Sequence, residues 1–150
     1  DLPMPELLPP PAAIPEPAPG NGDASRRHIV YVDDYEAMVA MVMAVLEAQG
    51  FRVSGFDSSP RALEFMRQHA HEVDMLITDY NMPEMSGLDL AREVKALRPT
   101  LPVMVASGHL SADLRAGAIE TRVDCLFDKP AGIDELCLCI AQVLRARAGG

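Results

Sequence analysis

The stretch VDMLITDYNMPEMSG, residues 73–87, places one aspartate, Asp79, at the end of a short apolar run. The run VDMLIT is predicted to be a buried β-strand, and the Met-Pro turn after Asp79 ends it. An aspartate in this position can be a solvated loop residue or a helix N-cap. Its role therefore depends on what the rest of the chain places beside it.

Short apolar runs alternate with helical patterns from residue 28 to residue 147. The predicted strands are HIVYV (28–32), FRVSGF (51–56), VDMLIT (73–78), PVMVAS (102–107) and CLFD (125–128). The predicted helices lie in residues 35–49, from an N-cap at Ser59, with Pro60 at the first helical position, to about His69, and in 87–97, 111–120 and 133–146. The helix over 111–120 is predicted to be weak, because it has few apolar residues on any face. Strand–helix alternation requires crossover connections, so the sequence predicts an α/β domain with a parallel sheet covered on both faces.

Composition excludes several classes of protein. The net charge of −9 argues against binding to a nucleic-acid backbone, which needs a basic surface. The longest apolar run, residues 37–46, is too short to cross a bilayer, and no export signal is present at the start. Cys125, Cys137 and Cys139 have neither an even count nor CxxC spacing, which favours free thiols in a reducing cytoplasm.

Residues 1–27 differ in composition from the rest of the chain. They hold eight of the thirteen prolines, which disfavour both helix and sheet. We expect an extended linker over 1–27, a folded domain over 28–147 and a short tail over 148–150. The chain begins at Asp1 rather than methionine, which suggests a fragment of a longer protein.

Polar residues follow four of the predicted strands. Asp33 and Asp34 follow the first strand, Asp79 ends the third, Ser107 ends the fourth and Lys129 follows the fifth. Each residue has an ordinary interpretation when taken alone, as a helix cap, a turn residue or a solvated lysine. In an open parallel sheet, however, all of them lie at the carboxyl edge, where such sheets bind ligands.

This set of side chains predicts a particular chemistry. Three crowded carboxylates repel one another, and hard oxygen ligands suit Mg²⁺ or Mn²⁺ better than Zn²⁺. A metal held by Asp34 and Asp79 could accept phosphate oxygens, with Lys129 adding positive charge. The site therefore resembles a phosphoryl-transfer centre, in which a carboxylate can itself be the nucleophile.

Four stretches together resemble the receiver domain of two-component response regulators. They are VYVDD (30–34), TDYNMPEMSG (78–87), VASG (105–108) and DKP (128–130). One such motif alone would be weak, but four in order at strand ends are specific. The resemblance covers about residues 28–147 and implies a flavodoxin-like, doubly wound (βα)5 fold with strand order 2-1-3-4-5.

The resemblance also implies a role for each matching residue in the metal shell. Asp79 corresponds to the aspartate that accepts a phosphoryl group from a phosphohistidine. Asp34 corresponds to the direct ligand of Mg²⁺ or Mn²⁺, and Asp33 to the residue that holds a metal-bound water. The backbone carbonyl of Asn81 would complete the protein's share of the shell.

Two further matches and one departure concern switching. Ser107 corresponds to the switch hydroxyl and Lys129 to the lysine that pairs with the phosphoryl group. Receivers commonly carry Tyr or Phe three residues before this lysine, whereas this chain has Leu126, with Phe127 beside it. Phosphorylation should survive this departure, while the aromatic form of the switch should not.

The expected partner is a histidine kinase or a histidine phosphotransfer domain. The stretches GLDLAREVKALRPTLPV and DKPAGIDEL resemble receivers at the C-terminus of hybrid histidine kinases, and the proline-rich segment suits a tether there. A stand-alone, single-domain regulator is the alternative. A homodimer could form through the last two helices and the fifth strand, and the domain would catalyse its own phosphorylation and dephosphorylation.

Two other classes fit less well. An aspartate-nucleophile phosphatase usually carries a second acid two residues after the nucleophile, where this chain has Asn81. A pseudo-receiver used only for docking would not need the complete set of Asp34, Asp79, Ser107 and Lys129.

Overall fold

The fold is a parallel β-sheet with helices on both faces. A computed structural model describes residues 26–149, without the side chains of Pro130 and residues 147–149. The strands are β1 His28–Val32, β2 Arg52–Phe56, β3 Met75–Asp79, β4 Val103–Ser107 and β5 Cys125–Asp128. Every neighbouring pair is parallel, and the order is β2-β1-β3-β4-β5, which confirms the predicted fold.

Each strand leads into a helix that returns across the sheet. The helices are α1 Glu36–Ala48, α2 Ser59–His69, α3 Gly87–Leu97, α4 Ala112–Thr121 and α5 Ile133–Gly149. Short 3-10 turns follow α2 at Ala70–Glu72 and β5 at Lys129–Ala131. The last helix extends two residues beyond the predicted domain end at 147.

Two apolar cores, one on each face of the sheet, hold the helices in place. Alternate residues of β3 show the division: Leu76 packs into one core, whereas Met75 and Ile77 pack into the other. The first core is covered by α2, α3 and α4, and the second by α1 and α5. Burial on both faces explains why the central strands read as continuous apolar runs.

Serines fix the starts of three helices. The Ser58 hydroxyl accepts the Arg61 N–H, so Ser58 is the N-cap of α2, one residue before the predicted Ser59. Ser86 and Asp89 form a reciprocal capping box at α3, and Ser111 caps α4. No helix within residues 26–149 is long and apolar enough to cross a membrane.

Candidate phosphoryl-transfer site

The predicted acidic pair lies in the turn between β1 and α1. Asp33 is 1% exposed and accepts three hydrogen bonds. Its Oδ1 accepts the Tyr35 backbone N–H at 3.0 Å, and its Oδ2 accepts the Tyr31 hydroxyl at 3.0 Å and Lys129 Nζ at 3.1 Å. Asp34, the next residue, is exposed. The two neighbours thus differ, because Asp33 is fixed by the protein and Asp34 faces solvent.

Asp79 reaches the same place from the central strand. It is 7% exposed at the end of β3, beside β1 on one side and β4 on the other. Carboxylate oxygens of Asp33, Asp34 and Asp79 all lie within 4.8 Å of one another. The predicted convergence of these three side chains is therefore present in the structure.

Lys129 joins two of these carboxylates. Its Nζ lies 3.1 Å from Asp33 Oδ2 and 3.2 Å from Asp79 Oδ1. Burial by itself lowers the pKa of Lys129, but the hydrogen bond and charge of Asp33, together with Asp79, more than offset burial and raise it. The lysine is therefore held as a cation between two buried acids.

The pKa of Asp79 is raised above its ordinary value. Burial is the main cause, and the charges of Asp33 and Asp34 act in the same direction, while Lys129 opposes them. One lysine does not neutralise three carboxylates. The site therefore holds excess negative charge that a cation would relieve.

The donor set suits a small divalent cation. All the ligand atoms are carboxylate oxygens, which Mg²⁺ prefers. Oxygens in an octahedral shell with bonds of 2.0–2.1 Å lie roughly 2.9–4.1 Å apart. Small side-chain rotations would bring oxygens now within 4.8 Å of one another to those separations. The residues present thus fit a divalent metal ion.

Ser107 lies at the predicted edge but is turned to its own loop. It ends β4, and the preceding residue, Ala106, is paired with Asp79. The Ser107 hydroxyl donates to the His109 carbonyl at 2.9 Å and accepts the His109 N–H at 3.2 Å. Among the described residues, Ser107 has no hydrogen bond to Asp79 in this conformation.

A family model for the response regulator receiver domain matches residues 29–141. This chain belongs to that family. It is therefore a receiver domain of two-component signal transduction, as its four motifs predicted. The match covers the described fold from β1 into α5.

Individual relatives agree with this assignment. The receiver is 34% identical over 123 residues to the two-component response regulator ORR5 of Oryza sativa, covering 79% of this chain and 89% of ORR5. It is 37% identical over 136 residues to the virulence sensor protein BvgS of Bordetella pertussis, covering 85% of this chain and 11% of BvgS. It is 28% identical over 116 residues to the transcriptional regulatory protein ZraR of Klebsiella oxytoca, covering 77% of this chain and 26% of ZraR.

A solved structure agrees with the fold and the family. The receiver domain protein of Clostridium thermocellum is 26% identical, with a TM-score of 0.76 over 81% of this chain and 97% of that one. The receiver core is therefore present here as a complete sheet with its five helices.

Leu126, which replaces the usual aromatic residue, and its neighbour Phe127 lie on opposite faces of the sheet. Leu126 is half-buried and packs against the core under α2, α3 and α4, whereas Phe127 is buried in the opposite core. Adjacent residues of a strand point to opposite faces, so Phe127 cannot replace the missing aromatic ring.

Asn81 is the second residue of the loop between β3 and α3 and is exposed. In this loop Glu84 has a φ of 71°, and the Gly87 N–H donates to the Tyr80 carbonyl at 2.9 Å. A side chain at Gly87 would press on the Asp79 carbonyl oxygen and lie 2.9 Å from the Tyr80 Cα. Gly87 therefore allows α3 to begin directly against the backbone of Asp79.

Two residues of the site were missed by the sequence reasoning. The motif TDYNMPEMSG includes Gly87 without giving it a role, although a glycine at the end of the loop signals a close backbone approach. The apolar run HIVYV identifies Tyr31 only as a strand residue. Its two-residue spacing from Asp33, on the same face of β1, was the signal that could have identified it.

Proposed function

We propose that this receiver accepts a phosphoryl group from a phosphohistidine onto Asp79, with Mg²⁺ or Mn²⁺ as cofactor. The observation that carries the proposal is the cluster of Asp33, Asp34 and Asp79, in which Lys129 bridges Asp33 and Asp79. Asp34, Asp79 and the Asn81 carbonyl would ligate the metal directly, and Asp33 would hold a metal-bound water. When bound, the metal neutralises charge on the phosphoryl oxygens and the carboxylates.

The transfer exchanges one bond for another. An Asp79 carboxylate oxygen attacks phosphorus, the phosphorus–nitrogen bond to the partner imidazole breaks, and the nitrogen keeps that electron pair. The product is an acyl phosphate on Asp79. Lys129 already lies 3.2 Å from Asp79, so its ammonium group can follow the charge onto the new phosphoryl oxygens.

Ser107 is proposed as the switch residue. A phosphoryl oxygen on Asp79 offers the Ser107 hydroxyl a charge-assisted hydrogen bond, in place of its present bond to His109. That exchange would move the loop before α4. With Leu126 in place of an aromatic residue, Ser107 would drive this movement alone.

The proposed phosphodonor is a histidine kinase or a histidine phosphotransfer domain. We assign residues 28–147 to the receiver and 1–27 to a proline-rich linker, of which residues 1–25 lie outside the described residues. Residues 148–150 are assigned to a tail, although 148 and 149 continue α5. Similarity to one part of BvgS supports a place in a hybrid histidine kinase, with a stand-alone regulator as the alternative. The three free thiols suit the cytoplasm. A homodimer, if formed, is proposed to use α4, β5 and α5.

Metal binding is tested by thermal unfolding in the presence of Mg²⁺. A metal that binds the folded form raises the melting temperature, and Asp34→Ala should lose most of that increase. Glu120→Ala is the control, since Glu120 is an exposed acid at the C-terminal end of α4, near the opposite edge of the sheet. An unchanged response in Asp34→Ala would remove Asp34 from the site.

The phosphoacceptor is tested with acetyl phosphate and Mg²⁺. One phosphoryl group should be added, stable in acid and labile in base, as expected of an acyl phosphate. Asp79→Asn should abolish it while the protein stays folded, because the side chain keeps its size. Labelling of that variant at the wild-type level would show that Asp79 is not the acceptor.

A further inference from the structure

The Tyr31 hydroxyl contacts the site but has no part in the function proposed above. Tyr31 is 3% exposed in β1, and its hydroxyl donates to Asp33 Oδ2 at 3.0 Å. Burial and the adjacent Asp33 charge both raise the pKa of this phenol. The phenol therefore acts as a neutral hydrogen-bond donor directed at a buried carboxylate.

The position of Tyr31 follows from the strand. Ile29, Tyr31 and Asp33 alternate along one face of the chain, so the ring of Tyr31 lies in the core beneath the carboxylate. A phenylalanine would fill the same apolar space. The distinctive contribution of tyrosine is the hydroxyl, whose hydrogen-bond partner in the structure is Asp33.

Asp33 Oδ2 accepts two donors at once. The Tyr31 hydroxyl lies at 3.0 Å and Lys129 Nζ at 3.1 Å, while the Tyr35 N–H holds the other oxygen. If Lys129 turns to a phosphoryl oxygen on Asp79, it weakens or gives up its bond to Asp33. A buried charged oxygen left without a donor is strongly destabilised. The Tyr31 hydroxyl is the donor that stays.

We propose that Tyr31 is a positioning residue of the phosphoacceptor site. Its hydroxyl keeps Asp33 Oδ2 hydrogen-bonded and so allows Lys129 to move from Asp33 to the phosphoryl group. This inference rests on the function proposed above. It gives Tyr31 no contact with the reacting atoms, and its effect passes through Asp33 and Lys129.

The test is the binding of beryllium fluoride, an analogue of the phosphoryl group, in saturating Mg²⁺. Tyr31→Phe should weaken beryllium fluoride binding by roughly tenfold or more, about the effect of one hydrogen bond to a charged group. The affinity for Mg²⁺ alone should change less than threefold, because without the phosphoryl analogue Lys129 stays on Asp33 Oδ2, and Tyr31 has no hydrogen bond to Asp34 or Asp79. Phosphorylation by acetyl phosphate should slow by a similar factor.

Tyr35→Phe is a matched control. It removes the phenol oxygen from a neighbouring tyrosine that is 65% exposed. The hydrogen bond from the backbone N–H of residue 35 to Asp33 Oδ1 is unaffected by this change. This variant should bind both ligands as the wild type does. Thermal unfolding of both variants shows whether each remains folded.

The outcomes separate the two proposals. Equal beryllium fluoride affinity in Tyr31→Phe and the wild type would overturn the role of Tyr31. So would a parallel loss of Mg²⁺ and beryllium fluoride affinity together with a lower melting temperature, because a residue that only fills the core would behave in that way. If the wild type does not bind beryllium fluoride, or Asp79→Asn binds it equally well, the proposed function itself fails.

Discussion

Replacing Gly87 with alanine should displace the phosphoacceptor from a position outside the acidic cluster. A Cβ atom at Gly87 would lie 2.9 Å from the Tyr80 Cα, 3.0 Å from the Asp79 carbonyl carbon and closer still to the Asp79 carbonyl oxygen. All three are backbone atoms at the end of β3, so no side-chain rotation can relieve the overlap. The start of α3 or the end of β3 must therefore move.

The size of the effect follows from two opposing contributions. Overpacking of this kind costs about 1–3 kcal/mol. The change from glycine to alanine inside a helix raises the free energy of unfolding by about 0.5–1 kcal/mol, and by less at the first helical residue. The hydrogen bond from the Gly87 N–H to the Tyr80 carbonyl must also lengthen. We expect Gly87→Ala to lower the free energy of unfolding by about 1–2 kcal/mol.

Urea unfolding in metal-free buffer measures this change, and beryllium fluoride binding reports the displacement of Asp79. Gly117→Ala is the matched control, because its Cβ would meet only the end of the flexible Leu88 side chain, at 2.6 Å. That variant should be neutral or slightly more stable. A Gly87→Ala protein with wild-type stability and wild-type beryllium fluoride affinity would refute the reasoning from backbone contact.

Three further predictions follow from single side chains. Asp79→Asn should raise the metal-free stability by about 0.5–2 kcal/mol in urea, because burial and the neighbouring acids raise the pKa of Asp79; a loss of stability would contradict this account. Burial, aided by Arg52, lowers the pKa of His28, so the unfolded chain binds the proton more readily and stability should fall as the pH drops below about 6.5. His28→Gln should reduce this slope between pH 7.5 and 5.5, and an identical slope would exclude His28 as its source. Beryllium fluoride should change amide exchange most between residues 107 and 120, and Ser107→Ala should remove most of that change; differences spread over the whole sheet would argue against Ser107 as the relay.

The topology could be predicted from the sequence because each strand and helix has its own local signal. The apolar runs, the helical spacing in α1 and α5, and the serine caps agree with one another, and crossover geometry makes the sheet parallel. The prediction for α4 was also sound. It buries only Leu114, Ala118 and Thr121, as the thin apolar stripe indicated.

Contacts between distant parts of the chain could not be predicted in this way. Lys129 is 96 residues from Asp33. The sequence could therefore place both residues at one edge of the sheet, but it could not show that Lys129 and the Tyr31 hydroxyl donate to the same oxygen, Asp33 Oδ2. Whether Ser107 faces Asp79 or its own loop depends on a side-chain rotation that strand periodicity does not determine. The close approach of Gly87 to Asp79 likewise depends on the loop geometry, including the positive φ of Glu84.

The distribution of donors explains how three neighbouring acids can have different roles. Asp33 accepts three donors and is almost fully buried, so the protein itself stabilises its charge. Asp34 is exposed and is stabilised by water. Within residues 26–149, the one side-chain donor to the Asp79 carboxylate is Lys129, which Asp79 shares with Asp33, and the pKa of Asp79 is raised, so it is the least stabilised carboxylate. A metal ion would therefore bring the largest gain to Asp79 and Asp34, and a phosphoryl group on Asp79 would replace the least favourable charge in the site.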